Sequence, residues 1–180
     1  MTLLTLTASQ KVASDHKVLP VLQVVLASCF IAICAQIKIP LYFTPIPLTV
    51  QTSAIMLIGA MLGSRKATLA VLCYLIQGWI GLPVWAGGAS GLLHFMGPTG
   101  GYLIAYLFQA CFIGKMLERR GSFGKVIAVL GASICIQLGM GSLWLAHFVG
   151  IQDCFSLGFT PFLASEVSRA FLLAIYIQRD

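Results

Sequence analysis

Charged residues are scarce in this chain of 180 residues. Only 9 % of its residues are Asp, Glu, Lys or Arg, and just five of these are acidic, whereas soluble domains carry about 25 % charged residues. A soluble protein of this composition could not cover its surface with charge, and no long polar stretch offers a second, soluble domain. Because 59 % of the residues are hydrophobic, we expect a single integral membrane domain over residues 18–180, with a mobile tail over residues 1–17.

Motifs that carry enzymatic chemistry are also missing. No G-x-x-x-x-G-K-[ST] loop is present, so we do not expect this chain to hydrolyse ATP by itself. The absence of H-E-x-x-H, G-x-S-x-G and paired aspartates argues against an enzyme. The six cysteines never form C-x-x-C, and His94 and His147 are isolated, so no disulfide framework or metal site is predicted. We expect the cysteines to be small core residues.

Apolar runs predict six membrane-spanning helices. The predicted segments are residues 21–39, 48–62, 67–82, 102–117, 126–150 and 157–177. The second, third and fourth are roughly 24 Å long at about 1.5 Å per residue, shorter than a hydrocarbon core of about 30 Å. The uncharged stretches 40–47 and 81–101 must complete the membrane depth, so we expect them to fold inward and cover a cavity.

Most basic residues lie on one side of this topology. Nine of the 11 fall in the N-terminal tail, the second-to-third loop, the fourth-to-fifth region and the C-terminus. The positive-inside rule then places both termini in the cytoplasm and the cavity on the outer side. The net charge of +6 is explained by the lipid bilayer and requires no nucleic-acid partner.

Two charged residues lie inside the last predicted helix. Glu166 and Arg169 are three residues apart and therefore share one helix face. A charge at mid-membrane costs at least about 2.5–3.5 kcal/mol on insertion scales. Two interpretations remain open: a structural ion pair within the bundle, or a polar site for a ligand.

Other candidate residues are less distinctive. Thr49 and Gln51 follow two prolines at the start of the second segment, where they face the cavity or merely cap the helix. Trp85 lies among glycines, which suggests stacking on a ligand as an alternative to interfacial anchoring.

Small residues also form a stripe on the first segment. Ser28, Ala32 and Ala35 are spaced at i, i+4 and i+7, and such a stripe allows close helix approach. The partner helix belongs either to this chain or to another membrane subunit.

Four motifs in order resemble those of the BioY family, the biotin-specific substrate-binding (S) components of energy-coupling-factor (ECF) transporters. They are TPIPLTVQT, GWIGLPVWAGGASG, GPTGGY and PFLASE, and the resemblance covers about residues 35–169. It implies a compact all-α bundle of six transmembrane helices with cytoplasmic termini, an outward-facing ligand cavity and high-affinity biotin uptake. It also implies a bacterial cytoplasmic (inner) membrane, a transmembrane coupling subunit and two cytoplasmic ATPases. ATP would be used by those partners, with no cofactor in this chain.

The resemblance also implies which residues bind substrate and which dock the coupling subunit. The substrate-binding candidates are Glu166, Arg169, Trp85, Gly87, Gly88, Thr49, Gln51 and Tyr102, and the docking candidates are Ser28, Ala32 and Ala35. The family usually has Asp and Lys where this chain has Glu166 and Arg169. Glu166 can accept the ureido N–H bonds of biotin, while Arg169 can donate to the ureido carbonyl or to the valerate. The alternatives are an S component for riboflavin or thiamine, or a solitary biotin permease.

Overall fold

The computed structural model describes the backbone of residues 3–119 and 121–179 and the side chains of 18–119 and 121–178. Its elements are α1 (Leu3–Gln36), β1 (Lys38–Ile39), β2 (Leu48–Thr49), α2 (Gln51–Trp79), α3 (Leu92–Phe95), α4 (Gly100–Met116), α5 (Phe123–Val149), α6 (Cys154–Gly158) and α7 (Thr160–Arg179). By length and composition, four stretches qualify as membrane spans: Val18–Gln36, Gln51–Trp79, Phe123–Val149 and Cys154–Gln178. The fold is therefore that of a multi-pass membrane protein.

Helix α2 consists of two arms that meet at Gly63, whose backbone is non-helical (φ 75°, ψ 172°). At the start of the first arm, the hydroxyls of Thr52 and Tyr106 lie 3.4 Å apart. Just beyond the bend, Ser64 donates to Glu118, which follows the end of α4, at 3.0 Å. The first arm thus runs alongside α4. The second arm runs alongside α1 and returns to the end from which α2 started.

Counting both arms of α2 with α1, α4, α5 and α7 gives six long helices, which confirms the predicted six-helix bundle. Two boundaries differ from the prediction. The second segment was expected to stop at the polar run 63–66, but a single glycine makes the turn, because a positive φ costs glycine little. The first helix ends at Gln36, and residues 38–39 pair with 48–49 in a small antiparallel sheet.

The predicted mobile tail differs from the structure in one respect. Helix α1 begins at Leu3, so the backbone over residues 3–17 continues into the first spanning helix. The side chains of residues 1–17 lie outside the described residues, and the mobility of this segment stays a prediction.

Small residues allow the helices to pack closely, as expected for helices in lipid. A side chain at Gly114 would overlap the backbone of Ser64, at the bend of α2. Gly101 accommodates Trp144 of α5 in the same way. The cysteine prediction is only partly right, because Cys34 and Cys154 are buried but Cys29, Cys111 and Cys135 are exposed on outer helix faces.

The small-residue stripe on α1 packs within this chain. Ser28 and Ala35 are both fully buried, and Ser28 donates a hydrogen bond to Gln77 of α2 at 3.1 Å. Ala32 is half-buried against the same core. This burial favours packing within the chain, since the second arm of α2 covers Ser28 and Ala35. Docking of a partner subunit by Ser28, Ala32 and Ala35 stays a prediction.

The two ends of the bundle differ in composition. One, here named the charged end, contains the bend at Gly63, the chain between α4 and α5, and the C-terminal turn of α7, where Gln178 donates to the carbonyl of Gly121 at 2.9 Å. Arg65, Lys66, Arg119 and Lys125 belong to this end. The other, here named the cavity end, contains residues 37–50, 80–99 and 150–153. Most described basic side chains therefore gather at one end, as the charge pattern predicts.

Candidate functional site

A cavity opens at the cavity end of the bundle. It contains about 540 Å³ of empty space, a volume that includes open solvent at its mouth. The part that the centres of water molecules can reach is about 50 Å³, so the cavity is narrow. Both uncharged stretches contribute walls, with Ile46 and Pro47 from one and Trp85, Ala86, His94 and Thr99 from the other.

The remaining walls come from four elements. They are Leu48, Thr49, Gln51 and Thr52 around the start of α2, Tyr102, Leu103 and Tyr106 of α4, Gln137 and Leu138 of α5, and Phe162 and Glu166 of α7. The aromatic and aliphatic side chains give the cavity largely apolar walls. Polar groups are few and reach it from separate helices, an arrangement that fixes the orientation of a small ligand.

The Glu166–Arg169 pair is fixed in place by the hairpin next to it. Arg169 Nη1 lies 3.0 Å from Glu166 Oε1 and donates to the backbone carbonyl of Thr49 at 2.7 Å. Glu166 lines the cavity, whereas Arg169 does not. The guanidinium therefore lies behind the carboxylate, where it balances the buried charge and ties α7 to β2.

Four buried polar atoms of cavity-lining residues have no hydrogen-bond partner among the described residues. Two are donors, Gln51 Nε2 and Trp85 Nε1, and two are acceptors, Gln137 Oε1 and Glu166 Oε2. Leaving such a group unpaired in the interior costs about 1–3 kcal/mol. Four of them around one cavity indicate a site for a ligand that offers both hydrogen-bond donors and acceptors.

Trp85 forms one wall and is completely buried. A side chain at Gly78 would overlap its indole ring, so a glycine is needed there. The loop is closed by backbone hydrogen bonds from Trp85 to Ala89 at 3.0 Å and from Gly91 to Gly78 at 2.8 Å. The side-chain amide of Gln36 holds the same loop from α1, donating to the carbonyl of Val84 at 3.2 Å.

The predicted site residues divide into two groups. Glu166, Trp85, Thr49, Gln51 and Tyr102 line one cavity. The phenol of Tyr102 is already engaged, since it donates to the carbonyl of Gly158 at 2.7 Å.

Arg169, Gly87 and Gly88 do not line the cavity. The two glycines lie on the exposed side of the loop that carries Trp85. Both have positive φ. A side chain at Gly87 would overlap the end of the Lys38 side chain, whereas Gly88 faces open space.

Sequence reasoning missed several cavity residues. Thr52, Tyr106 and Gln137 each line the cavity beside predicted residues. Tyr106 follows Tyr102 by one helical turn, and Gln137 is a polar residue in the middle of an apolar helix. Tyr106 was detectable from its spacing to Tyr102, and Gln137 was detectable because a buried amide needs a partner.

The mouth of the cavity contains two basic residues. His94 lines the cavity, and His94 and Lys38 together line an adjoining vestibule. Burial lowers the pKa of His94 below its ordinary value, and the positive charge of Lys38 lowers it further. His94 is therefore neutral at neutral pH. Elsewhere, no group of three or more His, Cys, Asp or Glu side chains in the described part of the chain could hold a metal ion.

The helices and the cavity, with its largely apolar walls and few polar groups, define a multi-pass membrane protein with a candidate small-molecule site. The sequence profile of the BioY family matches residues 8–179, and the chain belongs to this family.

Named relatives agree with this assignment. A probable biotin transporter BioY of Pyrococcus horikoshii is 36 % identical over 160 residues, covering 87 % of this chain and 94 % of that protein. The biotin transporter BioY of Thermotoga maritima is 34 % identical over 153 residues, covering 84 % and 89 %. The crystal structure of the S-component for biotin from an ECF-type ABC transporter superposes with a TM-score of 0.81 at 31 % identity, covering 92 % of each chain.

Proposed function

We propose that this chain captures biotin as the S component of an ECF-type ABC transporter. The observation that carries the proposal is the set of four unpaired polar atoms around the cavity. The ureido ring of biotin has two N–H donors and one carbonyl oxygen with two lone pairs, so it can complement two acceptors and two donors. The relatives named as biotin transporters and the structural match to an S-component for biotin support the same ligand.

In this proposal, both rings of biotin have partners in the cavity walls. Glu166 Oε2 and Gln137 Oε1 accept the ureido N–H bonds, while Gln51 Nε2 donates to the ureido carbonyl. Arg169 orients the Glu166 carboxylate from behind, and a hydrogen bond to an ionised carboxylate is stronger than one between neutral groups. The thiophane ring packs against apolar walls such as Leu138 and Phe162.

The proposed setting is the bacterial cytoplasmic membrane, with the charged end in the cytoplasm. The basic residues at that end support this orientation through the positive-inside rule. A transmembrane coupling subunit and two cytoplasmic ATPases are the proposed partners, and they would use ATP on behalf of this chain. The match to an S-component of an ECF-type ABC transporter supports such an assembly.

Titration of the purified, detergent-solubilised protein tests the proposal. Biotin should bind at low concentration, and desthiobiotin, which keeps the ureido group, should compete with it. Thiamine and riboflavin should not compete. Tight binding of thiamine or riboflavin without any binding of biotin would contradict the proposal.

A matched pair of variants tests the cavity itself. Glu166→Gln removes the charged acceptor and should weaken biotin binding roughly tenfold or more, since hydrogen bonds to charged groups contribute about 1.5–3 kcal/mol. Glu118→Gln makes the same change at the charged end and should leave the dissociation constant at the wild-type value. Equal affinities in the two variants would remove Glu166 from the site.

A further inference from the structure

The vestibule beside the cavity contains an ammonium group without a partner. Lys38 Nζ has no hydrogen bond and no ion pair with any described residue. The vestibule shares Pro47, Ala86, His94 and Thr99 with the main cavity, so the two spaces adjoin. It is also roomier, since the centres of water molecules can reach about 270 Å³ of it.

We infer that Lys38 binds the carboxylate end of the ligand at the mouth of the cavity, with the ligand's polar ring system at the deep end beside Glu166. The inference rests on the proposed function. It extends that function by assigning the direction in which the ligand lies and the residue that selects a free acid.

The deep end is unsuitable for a carboxylate. Glu166 already places a negative charge there, and a second carboxylate within a few ångströms would be repelled strongly in a region of low dielectric constant. Arg169 cannot compensate, because it is engaged by Glu166 and by the Thr49 carbonyl and does not line the cavity. The other polar groups at the deep end are uncharged.

The mouth has the opposite character. Among the described residues, Lys38 is the only cation that lines the vestibule when His94 is neutral, and no acidic side chain among them lies within ion-pair distance of Lys38. A positive charge at the entrance of a cavity with apolar walls attracts an anionic group. A free valerate provides such a group, whereas an ester or an alcohol does not.

The position of Lys38 is built into the backbone. Lys38 belongs to β1 and pairs with Thr49 of β2, so its backbone is held beside the cavity wall. Its side chain extends across Gly87, where any larger residue would overlap it. Gly87 therefore leaves room for the Lys38 side chain and does not itself contact the ligand in this arrangement.

The test compares biotin with biotinol, in which a hydroxyl replaces the carboxylate and the ring system is unchanged. In the wild type, biotin should bind roughly tenfold or more tightly than biotinol, the scale of one charge-assisted hydrogen bond. Lys38→Gln should weaken biotin binding to about the level of biotinol and leave biotinol binding unchanged. Arg65→Gln removes one positive charge at the opposite end and should preserve the wild-type preference.

A second pair of variants moves the lysine without replacing it. Gly87→Ala and Gly88→Ala introduce the same backbone strain at neighbouring positive-φ positions, but only the first meets Lys38. Gly87→Ala should therefore reduce the biotin-to-biotinol preference more than Gly88→Ala does.

One result would overturn the inference about Lys38, and a different result would overturn the proposed function on which it rests. A full preference for biotin in Lys38→Gln would remove the lysine from carboxylate binding while leaving biotin capture intact. If the wild type bound neither biotin nor biotinol, that result would instead contradict the proposed function.

Discussion

The two ends of the bundle treat polar groups in opposite ways. At the charged end they are exposed and bonded to one another, as in the contacts of Ser64 with Glu118 and of Lys125 with the Arg119 carbonyl at 3.1 Å. At the cavity end, Gln51, Gln137 and Glu166 are buried, and each has an unpaired atom. Polar groups at the first end therefore cost little, whereas those at the second reduce the stability of the unliganded protein and become favourable when a ligand pairs them.

The same difference extends to the turns. At the charged end one glycine reverses α2, because nothing except the turn is needed there. At the cavity end residues 80–99 form a long connection whose backbone closes around Trp85. The chain is short where it only connects helices and long where it builds a wall.

The largest effect is expected from Arg169→Ala at the cavity end. It leaves the Glu166 carboxylate buried without a counter-ion, which should lower the free energy of unfolding by about 3 kcal/mol and weaken biotin binding more than tenfold. Thermal unfolding in detergent and biotin titration measure the two effects. In the double variant with Glu166→Gln, stability should partly return but binding should not; wild-type affinity in Arg169→Ala would refute the positioning role.

A smaller loss of stability is expected from Gly114→Ala at the charged end. The added methyl group would overlap the backbone of Ser64, which cannot move away as a flexible side chain can. Overpacking of this kind costs about 1–3 kcal/mol. Gly124→Ala in α5 is the control, because no heavy atom lies within 4 Å of the added carbon. Thermal unfolding should show a loss for the first variant alone; similar melting temperatures would contradict the close helix crossing.

Two glutamines of the cavity end should respond with opposite signs. Gln137→Met removes an unpaired buried oxygen and should raise the free energy of unfolding by about 1 kcal/mol, while weakening biotin binding. Gln36→Met removes an amide that donates to the Ala32 carbonyl at 3.1 Å and to Val84, and should lower stability by a similar amount. Thermal unfolding of both variants decides the matter, and destabilisation by Gln137→Met would show that its amide is paired.

The smallest effect is expected from His94 and depends on pH. Because its pKa in the folded protein lies below the ordinary value of about 6.5, the folded state binds fewer protons than the unfolded state. The stability that neutral His94 contributes is present above about pH 6.5 and is lost as the pH falls below it. Melting temperatures between pH 8 and pH 5 should fall less in His94→Asn than in the wild type, with His147→Asn as the control for loss of a histidine. Parallel pH profiles in wild type and His94→Asn would count against this account.

The six helices and part of the site could be predicted from the sequence. Helix length is limited by the bilayer, so apolar runs and charge positions were sufficient for the bundle. Glu166 was detectable because an ionisable residue in an apolar helix is expensive. Trp85 was detectable because it lies in one of the stretches that short helices leave at membrane depth. Thr49 and Gln51 were detectable as polar residues that follow two prolines at the start of the second segment.

Other features depend on distances that the sequence does not contain. Whether Arg169 faces the ligand or lies behind Glu166 depends on its contact with the Thr49 carbonyl, 120 residues away in the chain. The stripe on α1 was compatible with an internal or an external partner, and only the path of α2 reveals the internal one. Gly87 was predicted to contact the ligand, whereas in the structure it lies against the end of the Lys38 side chain.

The bond from Arg169 to the carbonyl of Thr49 has a consequence for biosynthesis. A ribosome makes the hairpin that carries Lys38 long before it makes α7, so the hairpin enters the membrane without the group that will hold it. The cavity is completed only when the last helix inserts. A chain that ends before α7 would lack both Glu166 and the anchor of the opposite wall, so the proposed ligand site forms in one step, when α7 inserts.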